Sequence, residues 1–258
     1  MWGIAALGEV SVQNQDIQAA RDYHQVTKLA YINLGNKPPL YKEYADGELV
    51  ALPVPALKEA VAGPAARTGL LDITTLARLL YFSAGLVRTR VLPLAGEVHY
   101  RAAASAGALY PIEVYLVCRD IPGLAAGLYH FSPLDFTLRQ LRDGDYRGTL
   151  LAAAGGDTQI AAAPGILVFT AIFWRSAWKY RPRSYRYCLW DCGTMLANLL
   201  ATAQDEIGLP AKVVAGFVDG AVNRLLGLQQ GREAALCLVP LVPTSRDKEA
   251  GGPPKGVP

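Results

Sequence analysis

"RAAASAGALYPIEVYLV", Arg101 to Val117, leads from an arginine through a run of tiny residues into an apolar strand. Tiny residues let backbone come close to a flat ligand. The Ser105 hydroxyl and the loop N–H groups are donors for phosphate or carbonyl oxygens, and the planar fork of Arg101 suits a phosphate. An alanine-rich turn with a solvated arginine reads equally well from this stretch alone. Beyond the loop the pattern is less ambiguous: Ile112 to Cys118 is a strand.

Outward from there, Leu128 to Phe131 and Thr137 to Leu141 are strands joined through "SPLDF" as a hairpin, and Gly165 to Trp174 is fully apolar and therefore central. Leu189 to Ile207 carries apolar residues on nearly every face and ends at "GLP", which predicts a buried central helix. Strands at Ala211 to Phe217 and Ala234 to Leu241 bracket a short helix at Ala221 to Leu226. Toward the N-terminus, an amphipathic helix is expected from Asp16 to Leu34, then an extended arm, "LYKEYADGELVALPVPAL", with a DG turn and several prolines. Short helices come next at Pro55 to Ala62 and Ile73 to Phe82, the second with Asp72 as N-cap. Strands separated by helices, with an antiparallel hairpin, predict an α+β layered domain.

The chain has 258 residues, 52% of them hydrophobic, and a formal net charge of +3, enough for one substantial core and too mild for bulk attraction to nucleic acid or a membrane surface. No basic leader opens the sequence and no apolar run approaches the ~20 residues of a membrane span, so a cytoplasmic protein is expected. Cys118, Cys188, Cys192 and Cys237 all sit in apolar segments, as small buried hydrophobes do, and no metal site is expected. There is no GxxxxGK[ST], no GxGxxG after a strand, no GxSxG and no HExxH. The conspicuous charge is local. "FWRSAWKYRPRSYRY", Phe173 to Tyr187, sets Arg175, Lys179, Arg181, Arg183 and Arg186 between two core-like segments, where cations usually meet an anion.

The Arg101 to Val117 stretch resembles the flavin-binding signature of the nitroreductase superfamily, in particular its SagB-type dehydrogenase branch, with Ala104 where a proline is usual. "DYHQVTKLAY", "YKEYADGELVALP", "KYRPRSYRYCLWDCGTMLANLLATA" and "AGFVDGAVNRLLGL" resemble the same branch and extend the likeness from Tyr23 to Leu228. The resemblance implies a nitroreductase-like fold: a mixed central sheet flanked by helices, with a long buried central helix, in a homodimer with FMN at the interface. It divides the chain into an N-terminal helix and arm over 1–66, an FMN domain over 67–242 and a tail over 243–258. It implies that Arg101, Ser105 and Gly107 line the cofactor, that the cations around Arg186 face its negative charge, and that Gly216 and Phe217 lie against its ring system. Of the family's arginine-rich phosphate motif only Arg67 remains, and Arg246 or Lys248 is a substitute unless the tail is simply solvated.

Lys179 and Tyr180 match the branch's catalytic pair. Like charge from Arg181 and Arg183 disfavours a protonated amine beside them, which suits Lys179 to act as a base. The activity implied is oxidation of an azoline in a modified peptide to the azole, with a cyclodehydratase as a partner enzyme. An NAD(P)H-dependent nitroreductase or quinone reductase, and a flavin-free scaffold that docks a peptide or enzyme, are the alternatives.

Overall fold

The computed structural model of the chain describes residues 17–28, 35–55, 70–93, 96–206, 208–209 and 211–242. The expected strand at Ile112 forms as β4 (Ile112–Cys118), buried at every residue. Its neighbours are β5 (Gly127–Ser132) and β7 (Gly165–Ile172), also deeply buried. β6 (Thr137–Asp143), β8 (Glu233–Leu241) and a short β1 (Leu49–Ala51) complete a six-stranded sheet in the order β1-β6-β5-β4-β7-β8. Every pairing is antiparallel, which corrects the mixed sheet expected. The reason is local: tight connections join β4, β5 and β6 in succession, so each reverses its predecessor, and β7 runs against both β4 and β8. The α+β class stands.

A continuous apolar run serves two cores at once because successive side chains alternate across the sheet. Val114 and Leu116 of β4 and Leu167 and Phe169 of β7 face one core with Leu76, Leu79 and Leu80 of α2 (Ile73–Ala84). Cys188, Met195 and Leu199 of α6 (Ser184–Ala201) join that core. Tyr115, Val117, Ile166 and Val168 face the other, against α3 (Arg147–Ala153), α4 (Thr158–Ala162) and α7 (Asp219–Leu226). Asp72 caps α2 as expected, accepting from the Thr75 N–H at 2.7 Å.

Several expectations shift. Helix α1 ends at Val26 (Ile17–Val26), and the remainder of the expected helix, the expected helix at Pro55 and the tail lie partly or wholly outside the described residues. β7 stops at Ile172, short of the expected Trp174, and Phe173 begins a helix, α5 (Phe173–Tyr180), where no element was expected beyond Trp174. The expected strand at Ala211 is reduced to isolated bridges, Ala211 to Leu241 and Val214 to Leu238. A hairpin of β2 (Leu86–Leu92) and β3 (Gly96–Arg101) forms a separate small sheet. Helix α6 begins at Ser184, earlier than expected, and is not buried all round. Tyr185, Leu189 and Trp190 are exposed, Trp190 by 55%.

Candidate active site

Ser105 is the hinge of the small-residue loop. Its Oγ donates to Asp191 Oδ2 of α6 at 2.6 Å and accepts from the Tyr110 N–H at 2.9 Å, while the Ala106 N–H donates to Asp191 Oδ1 at 3.2 Å. Burial pushes the Asp191 carboxyl up, and the two loop donors oppose that rise. At the crest, Gly107 has φ +64, followed by Ala108 at φ +54, a left-handed turn that glycine enters at little cost. A Cβ on Gly107 would lie 2.6 Å from Tyr180 Oη and 2.9 Å from Lys179 Nζ. The crest therefore rests against the two side chains at the end of α5, with no room for another atom.

Lys179 and Tyr180 are half-buried, Lys179 Nζ is 5.4 Å from the Tyr180 ring centre, and Tyr187 packs edge-on against Tyr180 at 4.5 Å. α5 ends at Arg181, which has φ +52 and precedes Pro182. Pro182 lacks the N–H that a continuing helix needs, so the pair sits at a fixed helix end. Replacing Gly107 by Ala should cost about 1 kcal/mol through the left-handed backbone alone and displace the flexible ends of Lys179 and Tyr180. The expected result is a large fall in turnover with a small fall in urea midpoint. Unchanged turnover would separate the crest from the chemistry.

The other end of α5 is tied down from beneath. Arg175, 2% exposed, donates through Nη1 to the Tyr110 carbonyl and to Glu113 Oε1, each at 2.7 Å. His130 Nε2 meets Glu113 Oε2 at 2.9 Å. Burial alone would raise the Glu113 carboxyl, but the His130 hydrogen bond and the Arg175 charge override it and hold the group at about 2. The anion met by the cationic stretch is thus, at Arg175, a side chain of β4. Arg101 is also buried, its guanidinium 4.7 Å from the Tyr110 ring centre and 5.5 Å from that of Tyr41. Its Nη2 reaches the Leu40 carbonyl at 3.4 Å, and its Nε has no hydrogen-bond partner among the described residues. Burial lowers its hold on the proton, Glu113 opposes this, and Arg175 adds to it.

The N-terminal segment straps this assembly. Trp178 Nε1 donates to the Gly35 carbonyl at 2.7 Å, Arg183 reaches the Thr27 carbonyl, and Tyr23 Oη donates to the Pro182 carbonyl. The structure therefore brings Ser105, Gly107, Lys179 and Tyr180 to one place, with Arg101 turned inward behind them. Arg183 donates through Nε to Tyr187 Oη at 2.8 Å, and Arg186 lies over the Tyr23 ring at 5.2 Å. Phe217 packs against the core on the α7 side of the sheet, while Gly216 is exposed and a Cβ there would meet nothing within 4 Å. Arg67 lies outside the described residues.

Sequence reasoning missed Asp191 and Glu113. A lone acid within an otherwise apolar helix or strand is the signal that marks each, since an unpaired buried carboxylate is costly. Among the described residues no cluster of His, Cys, Asp or Glu could hold a metal, and no helix is long and apolar enough to cross a membrane.

The sequence and fold are matched among known proteins. The nitroreductase family profile fits residues 70–241. The chain belongs to the nitroreductase family. Members are flavin-using oxidoreductases. Over 172 residues it is 36% identical to the Microcin B17-processing protein McbC of Escherichia coli, covering 64% of this chain and 60% of McbC. It is 31% identical over 171 residues to the Trifolitoxin-processing protein TfxB of Rhizobium leguminosarum bv. trifolii, covering 64% of this chain and 45% of TfxB. The chain thus spans about half the length of these relatives. A nitroreductase-family structure from Anabaena variabilis superposes with TM-score 0.73 at 31% identity, over 86% of this chain and 45% of that one. The E. coli microcin synthetase McbBCD complex, solved with truncated pro-MccB17 bound, gives TM-score 0.58 at 24% identity over 87% of this chain and 86% of that one, a likeness of fold.

Proposed function

We propose that the chain is an FMN-dependent dehydrogenase that oxidises an azoline ring in a modified peptide to the azole. The observation that carries the reading is the contact of Gly107 with Lys179 and Tyr180. It sets a proton acceptor and a hydroxyl against a loop of residues small enough for a flat ring to lie on. McbC and TfxB, both named for processing peptides, support the substrate class.

The residues present fit FMN. Ala104 and Gly107 are exposed and small, and a Cβ on the exposed Gly216 would meet nothing within 4 Å, which leaves the backbone at these positions open to a planar ring system. Ser105, Gly107 and Gly216 would hold it through their backbone, with Arg67 and Arg186 supplying positive charge. Arg101, enclosed by two rings, acts from behind the loop rather than at a phosphate. FMN, when bound, supplies the acceptor for a hydride.

The chain's own part is the proton. Aromatisation removes a proton from one ring carbon and a hydride from its neighbour, leaving a carbon–carbon double bond. Lys179 Nζ, as the free amine, takes the proton, and Tyr180 Oη holds a ring substituent or passes the proton outward. Half-burial lets Nζ return it to solvent between turnovers. Arg175 and Asp191 touch neither substrate nor cofactor in this scheme: they hold α5 and the loop at a fixed separation, the preorganisation that proton transfer requires.

A homodimer is part of the reading. The exposed stripe of Tyr185, Leu189 and Trp190 on α6 is a surface that a second copy would cover. Four free, buried cysteines suit the reducing cytoplasm. The test is mass spectrometry of a thiazoline peptide incubated with the FMN-loaded protein in air, whose sedimentation should be that of a dimer. Loss of two hydrogens without added NAD(P)H is expected. An intact peptide, with nitro compounds or quinones reduced by NAD(P)H instead, would replace this reading.

A further inference from the structure

A cleft of about 380 Å³ opens between the arm and the start of α5, walled by Tyr41, Tyr44 and Trp174 and carrying the cations Lys42, Arg175 and Arg232. Its buried carboxylates are already committed. Glu233 Oε1 accepts from Thr170 at 2.6 Å and Tyr115 at 3.1 Å, and its Oε2 accepts from Lys42 at 2.6 Å. Glu113 beneath is held by Arg175 and His130. The remaining acid at the cleft is Glu43, which is exposed. Counting the floor, Lys42, Arg101, Arg175 and Arg232 face Glu43, Glu113 and Glu233, an excess of one positive charge around an aromatic-walled space. Arg232 is exposed at the rim and makes no ion pair among the described residues.

The cleft and the reacting pair share one helix. Trp174 and Arg175 precede Lys179 by five and four positions, about 6–7.5 Å along the axis at 1.5 Å per residue. An extended peptide covers that span in two or three residues at roughly 3.3 Å each. Arg175 also donates to the Tyr110 carbonyl, so a group bound beside it meets the anchor of the small-residue loop.

We infer that this cleft binds a carboxylate of the peptide whose ring reacts beside Lys179. The source is an acidic side chain two or three residues from the ring, or a C-terminal carboxylate at that distance. The inference rests on the peptide-dehydrogenase reading. It adds a specificity site that the reaction itself does not require, with the exposed Arg232 as the recognising cation and Trp174 and Tyr41 as walls.

The test uses N-acetylated six-residue peptides, each with one thiazoline and, three positions away, Asp, Asn or Lys. A fourth ends in a free carboxylate at that position, with its amide as control. Two quantities are read with the FMN-loaded protein: binding, by calorimetry under nitrogen with the peptide's fully aromatic azole product, and KM in air. Asp over Asn should favour binding and KM by ~10-fold, the size of one charge-assisted hydrogen bond. Arg232→Glu, an exposed change that spares the core, should abolish that ratio and favour Lys. The free-acid and amide pair decides whether a terminal carboxylate serves as well as a side chain. Equal Asp and Asn values, or an Arg232→Glu protein that keeps the ratio, would overturn the inference while leaving ring oxidation in place. Charge-selective product binding without ring oxidation would keep the cleft and overturn the reaction.

Discussion

Replacing Lys179 by Ala lowers the rate of azoline oxidation by ~100-fold or more, the usual contribution of a positioned acid or base, with fold and FMN content intact. The side chain is half-buried at the end of α5 and carries no ion pair among the described residues, so its loss leaves no stranded charge. Lys179→Arg should fail almost as completely, because a guanidinium stays protonated at any working pH and cannot accept a proton. It is also bulkier, and the crest at Gly107 already lies so near that a Cβ there would approach Nζ to 2.9 Å. Single-turnover rates with a thiazoline peptide, with FMN occupancy checked by absorbance, separate the possibilities. Near-normal oxidation by the Arg variant would show that positive charge, not proton transfer, is what position 179 supplies, and would leave Tyr180 as the base.

Glu113→Gln should produce the largest loss of stability. The carboxyl, at about 2 in the folded chain against an ordinary 4.5, favours folding by about 3 kcal/mol at neutral pH, at ~1.4 kcal/mol per pH unit. The sign is set by the depressed value. The contribution is fully present above 4.5 and is lost as pH falls toward 2, where folded and unfolded chains are both protonated. Neutralising Glu113 also leaves Arg175 buried without its countercharge, a defect that costs about 3–5 kcal/mol in comparable pairs. Urea unfolding at pH 7 should show a deficit of this order for the variant, shrinking as the wild-type protein is acidified. A variant as stable as wild type at pH 7 would mean that the buried network does not hold α5 in place.

What was legible in the sequence was whatever its own neighbours decide. β4 and β7 could be read because an unbroken apolar run has few uses other than a strand buried on both faces. Asp72 announced α2 because a cap acts over three residues. The small-residue loop and the Lys179–Tyr180 pair stood out in the sequence, and in the structure they lie side by side.

Long-range partners hid the rest. Phe173 to Tyr180 carried no helix signal that was read, and nothing local tells Arg175 to turn inward. Its partner Glu113 lies 62 residues away in sequence. Ser105 looked like a free ligand for a cofactor, yet its proton goes to Asp191, 86 residues on. The β2–β3 hairpin, largely exposed, has charged residues where a core strand would be apolar and so carried no burial signal. Arg101 was read by its type as a phosphate ligand, and only packing against Tyr41 and Tyr110 reveals it as interior.

The central claim is that a peptide azoline delivers its electrons to FMN held beside Lys179. The most direct measurement mixes the FMN-loaded dimer with a thiazoline peptide under strict exclusion of oxygen and follows the yellow absorbance of the flavin. The account predicts bleaching with peptide alone, in one-to-one proportion to azole formed, and almost none in Lys179→Ala. A protein that binds no FMN, or one bleached by NAD(P)H but never by the peptide, would contradict it.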